Sequence, residues 1–340
     1  MVAARNDAPE AAYDQFKALE LKTKWEVRVE SPSGICHTSN MQLERATPAR
    51  LPPWIRIRLA ADGRYAAVQD ALAAAGLHTV CESARCPNRS ECFSNGTATF
   101  MILGDICTRH CRFCAVQGGQ PLALDEGEPQ RVAAMAARLG LRHVVITSVT
   151  RDDLPDGGAA AFAATIRQLQ ELGRLSARSI TTEVLTPDFQ GQAHSLKLVL
   201  EAAPDVFNHN LETVERLQPQ IRPQANYRRS LQVLQQARSF QPRPAIKSGL
   251  MLGLGERDAE LYQALEDLLQ AGCEILTLGQ YLAPTRGHIP VERFVSPDQF
   301  AHYRARALAM GFRAVAAGAL VRSSYQAETL FRQATAKQQI

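Results

Sequence analysis

Six of the eight cysteines in this 340-residue chain lie between Cys81 and Cys114, in CESARCPNRSECFSNGTATFMILGDICTRHCRFC. They form two triplets: Cys81, Cys86 and Cys92 spaced C-x4-C-x5-C, then Cys107, Cys111 and Cys114 spaced C-x3-C-x2-C. Thiolates bunched this closely repel one another, and a bound metal is the usual compensation. The second triplet is the sharper signal. Three thiolates can hold three corners of a [4Fe–4S] cube and leave one iron open to a substrate. A structural zinc site is the alternative, but it normally takes four ligands. His110 is a possible fourth, although it sits beside Cys111 and would have to bend back. The first triplet alone leaves zinc, a redox set and three unrelated thiols all open.

With Phe113 just before its last cysteine, the second triplet resembles the signature of radical S-adenosylmethionine (SAM) enzymes. In that superfamily the open iron chelates the amino and carboxylate groups of SAM, and one electron releases a 5′-deoxyadenosyl radical. The order TVCESARCPNRSECF then GTATFMILGDICTRHCRFCAV resembles the lipoyl synthase family more narrowly. There the first triplet holds an auxiliary [4Fe–4S] cluster, with a fourth ligand from a serine in an Arg-Ser-Ser-Tyr run near the C-terminus. This chain carries Arg322, Ser323, Ser324 and Tyr325. The resemblance therefore implies that Ser324 is the fourth ligand and Ser323 its neighbour. It implies catalytic roles for Cys107, Cys111, Cys114 and Ser324, and two [4Fe–4S] clusters plus SAM as cofactors. The implied reaction inserts sulfur at C6 and C8 of an octanoyl group on a lysine of a lipoyl carrier protein. Implied carriers are lipoyl domains of 2-oxoacid dehydrogenase E2 subunits and the glycine cleavage H protein, with a reduced ferredoxin- or flavodoxin-type electron donor. Rival readings are a methylthiotransferase or biotin-synthase-like enzyme, and, outside enzymes, an iron–sulfur electron carrier or a zinc-stabilised module.

The formal net charge is +4, from 38 basic and 34 acidic residues, with no dense basic block, so nucleic acid is not an expected partner. No stretch approaches the roughly 20 apolar residues of a membrane span. The first residues, MVAARNDAPEAAYDQF, lack the apolar core of a signal peptide. Eight cysteines without an export signal indicate metal or redox use in a reducing compartment, and the cytoplasm is expected.

Residues 1–50 read as an arm of unassigned role, with a helix over 11–22, a strand over 25–31 and an isolated thiol at Cys36. Residues 51–96 read as the auxiliary-cluster segment, opening on an extended LPPWIRIRL and a helix over 65–75 that Gly76 ends. Six strands follow, over 97–103, 143–148, 179–185, 206–210, 245–252 and 275–281. Helices with apolar residues at spacings of three and four alternate with them, one starting at Pro129 and ending at Gly140, one capped by Asp258, the last over 297–310. That alternation predicts an α/β chain with a parallel sheet and right-handed crossovers. The resemblance implies a partial (β/α)6 barrel of the TIM type over 97–312, with N- and C-terminal extensions, the latter over 313–340.

In such barrels the site collects at the C-terminal ends of the strands. TSVTRDDLPDGG places Thr147, Ser148, Arg151, Asp152 and Asp153 there, and the resemblance makes this a SAM-contacting loop. Glu183, inside an apolar strand, needs a partner, and a SAM ribose hydroxyl or a structural hydrogen bond would serve. Asn208 and Asn210 share a face by the two-residue period and are candidate SAM contacts, while His209 points away and reads as structural. Lys247 requires an anion, either a carboxylate or a cluster-linked charge. Arg222 is a candidate substrate or SAM contact. Gln280, Tyr281, His288 and Arg293 carry no individual assignment, and Cys273 reads as a small buried hydrophobe.

Overall fold

The computed structural model describes residues 51–57, 63–95 and 98–336, all within a unit that begins at Leu51. The helix and strand expected within residues 1–50, and Cys36, lie outside the described residues. In the first segment Pro52 and Pro53 lead into a turn closed by the Ile55 N–H on the Pro52 carbonyl, rather than into a strand.

Helix α1 (Gly63–Ala74) buries Val68, Ala71 and Leu72. It ends at Gly76, whose φ of 60° lets the Leu77 N–H reach the Leu72 carbonyl at 3.0 Å. The short strand β1 (His78–Thr79) follows, then two short helices, α2 (Val80–Ser83) and α3 (Arg89–Ser94). Strand β2 (Thr99–Ile102) opens the barrel, and the loop after it carries the minor pair β3 (Ile106–Cys107) and β4 (Gln117–Gly118). From there helix and strand alternate: α4 (Glu128–Leu139), β5 (His143–Ser148), α5 (Ala159–Ser176), β6 (Thr181–Leu185), α6 (Ala193–Glu201) and β7 (Val206–Asn208). The second half runs α7 (Gln218–Ile221), α8 (Tyr227–Arg238), β8 (Ala245–Leu252), α9 (Asp258–Gln270), β9 (Ile275–Gln280), α10 (Pro297–Met310), β10 (Ala314–Gly318) and α11 (Ala327–Ala336).

The main sheet has the order β1-β2-β5-β6-β7-β8-β9-β10, with β1 antiparallel to β2 and every other pairing parallel. Its two edges do not pair, so the barrel is partial. The strands are buried on both faces, because helices cover the outside and side chains fill the inside. Phe100, Ile146, Val184, Phe207 and Leu276 are fully buried within one continuous core. The six expected strands are present, and the structure adds a seventh parallel strand, β10, inside what the sequence assigned to the C-terminal extension. Pro129 lies in the first turn of α4 and Gly140 closes it at φ 66°, as expected. Asp258 is not the cap of α9. It is the first helical residue, with Arg257 in the cap position, and its carboxylate accepts from the Tyr303 hydroxyl at 2.6 Å.

Helix α11 closes the opposite end of the barrel from the strand-end loops. Leu330 and Ala334 pack on Ile275 and Ala314, the first residues of β9 and β10. Phe331 stacks on His143, the first residue of β5, at 5.8 Å between ring centres. Among the described residues no helix is long and apolar enough to cross a membrane.

Candidate functional site

The loop after β2 wraps the second cysteine triplet around a cavity of about 280 Å³, lined by Cys107, Cys111, Cys114, Arg109, Arg112 and His288 among others. Backbone N–H groups point at the sulfurs. Cys107 Sγ accepts from Arg109 and Thr150 at 3.4 and 3.3 Å, and Cys114 Sγ accepts from Val116 at 3.5 Å. The Arg222 guanidinium, held by the Asn210 carbonyl at 3.1 Å, is the positive charge that opposes the rise of the Cys111 thiol. Burial pushes the Cys114 thiol up to about 12 and raises Cys111 as well. Buried thiols of this kind become thiolates only beside a strong positive charge, which an iron cluster supplies.

The first triplet is built by α2 and α3. Thr79 caps α2 by accepting from the Glu82 N–H at 3.3 Å. Arg85, at φ 52°, turns the chain so that the Cys86 N–H meets the Cys81 carbonyl at 3.0 Å. Burial pushes the Cys81 thiol up to about 12, against a hydrogen bond from the Thr99 N–H, and neighbouring Cys86 and Cys92 raise it further. The Thr99 hydroxyl donates to Ser324 Oγ at 2.8 Å. Thr99 thus touches both the Cys81 sulfur and Ser324, residues far apart in sequence. The rest of the RSSY run is anchored nearby. Tyr325 donates to Glu91 Oε1 at 3.0 Å, and Asn88 holds the Leu320 carbonyl at 2.7 Å. The seven described cysteines form no disulfide, and no three His, Cys, Asp or Glu side chains among the described residues gather around a point that one ion could fill. The donor chemistry fits a cluster at each triplet: three soft sulfurs, with a hydroxyl beside the first set.

The polar residues at the strand ends are buried as expected, but protein groups satisfy many of them. Glu183 accepts from Lys247 Nζ at 2.7 and 2.9 Å and from Asn208 Nδ2 at 3.0 Å. His143 Nε2 lies 3.6 Å from the same carboxylate. Burial alone would raise Glu183, yet Lys247 and His143 hold it down to about 2. The anion that Lys247 requires is therefore Glu183, and the partner that Glu183 requires is Lys247. Thr147 donates to the Leu185 carbonyl at 3.0 Å. Arg151 is paired with Asp153 at 2.9 Å, and Asp152 takes both Arg109 donors at 2.6 and 2.8 Å. The polar needs of Thr147, Arg151 and Asp152, directed at SAM on sequence grounds, are thus met by protein groups. Asn208 and Asn210 do share a face, since Ser323 Oγ accepts from Asn208 and donates to Asn210, each at 2.9 Å. His209 faces away, held by the Thr186 carbonyl at 2.9 Å and by Ser230 at 3.0 Å, and burial lowers it to about 4. Ser148 Oγ, Asn208 Oδ1 and Arg222 Nε are buried without a partner. Ser148 and Asn208 end β5 and β7, and unpaired buried atoms there fit a site that takes a polar ligand.

Sequence reasoning missed a buried ion cluster. Arg109, 5% exposed, also donates to Asp188 at 2.7 Å, and Asp188 receives Arg229 at 2.7 Å. Although burial opposes it, Arg109 holds the Asp188 carboxyl well below the usual carboxylate range. An arginine between two cysteines of one triplet was the available signal. Glu212 was also missed. It is held at φ 67°, raised by burial, and accepts from Asn210 at 3.1 Å. The 281–296 segment gains assignments: Gln280 binds the Leu252, Tyr281 and Arg293 carbonyls, Tyr281 the Ile289 carbonyl, and His288 the Cys114 carbonyl at 3.0 Å. Arg293 pairs with Glu256 at 3.1 Å. Cys273 is buried and its thiol donates to the Ile275 carbonyl, as a structural residue would.

Two family models match the chain. The profile of the radical SAM superfamily matches residues 101–268, and that of the N-terminal domain of lipoyl synthase matches residues 22–86. The lipoyl synthase of Symbiobacterium thermophilum is 50% identical over 293 residues, covering 86% of this chain and 90% of that one. Those of Rubrobacter xylanophilus and Thermus thermophilus are each 52% identical, covering 81% and 84% of this chain and 85% and 87% of theirs.

Proposed function

The chain belongs to the lipoyl synthase family of radical SAM enzymes, and from that premise we propose that it inserts two sulfur atoms, at C6 and C8, into an octanoyl group on a lysine of a lipoyl carrier protein. The observation that supports the reading is Thr99, whose hydroxyl donates to Ser324 while its N–H lies at Cys81, so that a hydroxyl from the far end of the sequence stands near the first triplet. In this reading Cys107, Cys111 and Cys114 hold one [4Fe–4S] cluster, and Cys81, Cys86, Cys92 and Ser324 hold the other. When bound, the first cluster supplies the electron that cleaves SAM, and the second supplies sulfur.

The positions attacked carry unactivated C–H bonds that no side-chain acid or base can ionise, so the protein contributes placement. Arg222, and the N–H groups of Arg109, Thr150 and Val116, stabilise negative charge on the radical-cluster sulfurs. Arg109, locked between Asp152 and Asp188, fixes the shape of the loop that carries those sulfurs. Ser148, Asn208 and Asn210 at the strand ends would hydrogen-bond SAM, with Glu212 holding Asn210 in place. The proposed partners are octanoylated lipoyl domains or the H protein and a low-potential electron donor, and the thiols needed for ligation suit a reducing compartment such as the cytoplasm.

The test is anaerobic reconstitution with iron and sulfide, then incubation with dithionite, SAM and an octanoylated carrier peptide. Mass spectrometry should show the lipoyl peptide alongside 5′-deoxyadenosine. A stable zinc stoichiometry without iron, or SAM cleavage with no sulfur on the peptide, would overturn the reading.

A further inference from the structure

The segment between β10 and α11 crosses the barrel on three handholds. At Val321 its carbonyl runs so close to β9 that a Cβ on Gly279 would lie 2.2 Å from that oxygen. At Tyr325 the phenol reaches Glu91 on α3 at 3.0 Å. Between them, the Ser323 hydroxyl is held at both ends, accepting from Asn208 Nδ2 and donating to Asn210 Oδ1 at 2.9 Å each. A hydroxyl is the small group that donates and accepts through one atom. Both amides are fixed from behind. Asn208 also donates to Glu183, which Lys247 anchors, and Asn210 donates to Glu212 at 3.1 Å. The neighbouring residue is Ser324, whose Oγ meets Thr99 beside the Cys81 sulfur.

We propose that Ser323 is a positioning residue: bridging Asn208 and Asn210, it sets the direction of the Ser324 oxygen and holds it on the auxiliary cluster. This rests on the two-cluster reading above. It gives a task to a serine that the family resemblance leaves as a neighbour. It also links the strand-end asparagines to the first cysteine triplet through one peptide unit.

The test compares Ser323→Thr with Ser323→Val, two variants of equal bulk that differ by the hydroxyl. The first readout uses protein in which Cys107, Cys111 and Cys114 are alanine, so that only the auxiliary cluster assembles. If Ser324 is misdirected, one iron lies open, and the EPR spectrum of the reduced cluster should shift when 2-mercaptoethanol is added. We expect that shift for Ser323→Val and for Ser324→Ala, and none for the parent or Ser323→Thr. In the intact protein the lipoyl product formed per 5′-deoxyadenosine should fall roughly 10- to 100-fold for Ser323→Val, the usual loss for a residue that orients a metal ligand. Ser323→Thr should restore it. A merely structural role would lower the melting temperature and leave the EPR response unchanged. The inference is overturned if Ser323→Val behaves like the parent in both readouts, or if the threonine and valine variants behave alike. Failure of the two-cluster reading would appear separately, as a parent protein without about eight irons per chain.

Discussion

Gly279→Ala should disable sulfur insertion without touching any proposed cluster ligand. Gly279 lies in β9, and an added Cβ would stand 2.2 Å from the Val321 carbonyl oxygen, 3.2 Å from its carbon and 3.4 Å from an Arg322 nitrogen. Non-bonded atoms settle at roughly 3.5 Å, so the two chains must separate by about 1 Å. β9 is paired on both sides, with β8 and β10, and resists displacement. The crossing segment should therefore move and carry Ser323 and Ser324 with it. Overpacking of this kind costs about 1–3 kcal/mol, which a domain of this size survives. Backbone preference works the other way, because alanine restricts the unfolded chain more than glycine does. A misplacement of about 1 Å at a reacting group costs roughly 100-fold in rate. The lipoyl product from an octanoylated peptide should fall by about that factor. SAM cleavage without peptide should fall much less, since Cys107, Cys111 and Cys114 lie in another loop and the displaced Ser323 reaches SAM only through Asn208 and Asn210. A folded Gly279→Ala protein with parental lipoyl yield would refute the claim that the close passage at Gly279 sets Ser324 in place.

Cys111→Ala should abolish SAM cleavage and product, whereas Cys86→Ala should still form 5′-deoxyadenosine but no lipoyl group. Circular dichroism and a remaining count of about four irons per chain separate these losses from unfolding. Lys247→Met should destabilise the apoprotein by about 3–5 kcal/mol in urea unfolding, because Glu183 is left charged and buried, and Lys247→Met with Glu183→Gln together should recover part of that. His209 is held at about 4 by burial, against an ordinary 6.5. The unfolded chain therefore takes up a proton on this residue between pH 6.5 and 4, and the folded chain does not. Its contribution to stability is present above pH 6.5 and is lost as pH falls toward 4. Against the parent, His209→Gln should flatten the stability curve in that window by up to about 1.4 kcal/mol per pH unit, and equal slopes would contradict the assignment.

The parallel core was legible because β5, β8 and β9 are compact apolar runs separated by helices with a clear period. β10 was not, since AVAAG has little of the β-branched and aromatic bulk that marks a strand, and it is held there by β9. The cysteine triplets are local in sequence, so spacing alone brought them forward. The crossing segment is not local. Ser323 meets Asn208 and Asn210 across more than a hundred residues, and only the assembled barrel joins them. Glu183 and Lys247 are an intermediate case. Each was read as a buried charge in need of a partner, and the simplest solution, each serving the other, required knowing that both side chains turn into the same interior. Arg109 was passed over because the two carboxylates that bind it, Asp152 and Asp188, come from loops after different strands.

The stretch carrying Ser324 is tied down on both sides, by β10 ending at Gly318 and by α11 starting at Ala327. A hydroxyl on so short a tether cannot diffuse away from the first triplet. If Ser324 detaches when sulfur is withdrawn, it remains at an effective concentration in the millimolar range or above. With Ser324 as the proposed oxygen donor, restoring the cluster would then demand only iron and sulfide. A dissolved alcohol or thiol competing for the same iron would have to match that concentration, so the tether itself guards the position through repeated cycles of loss and repair.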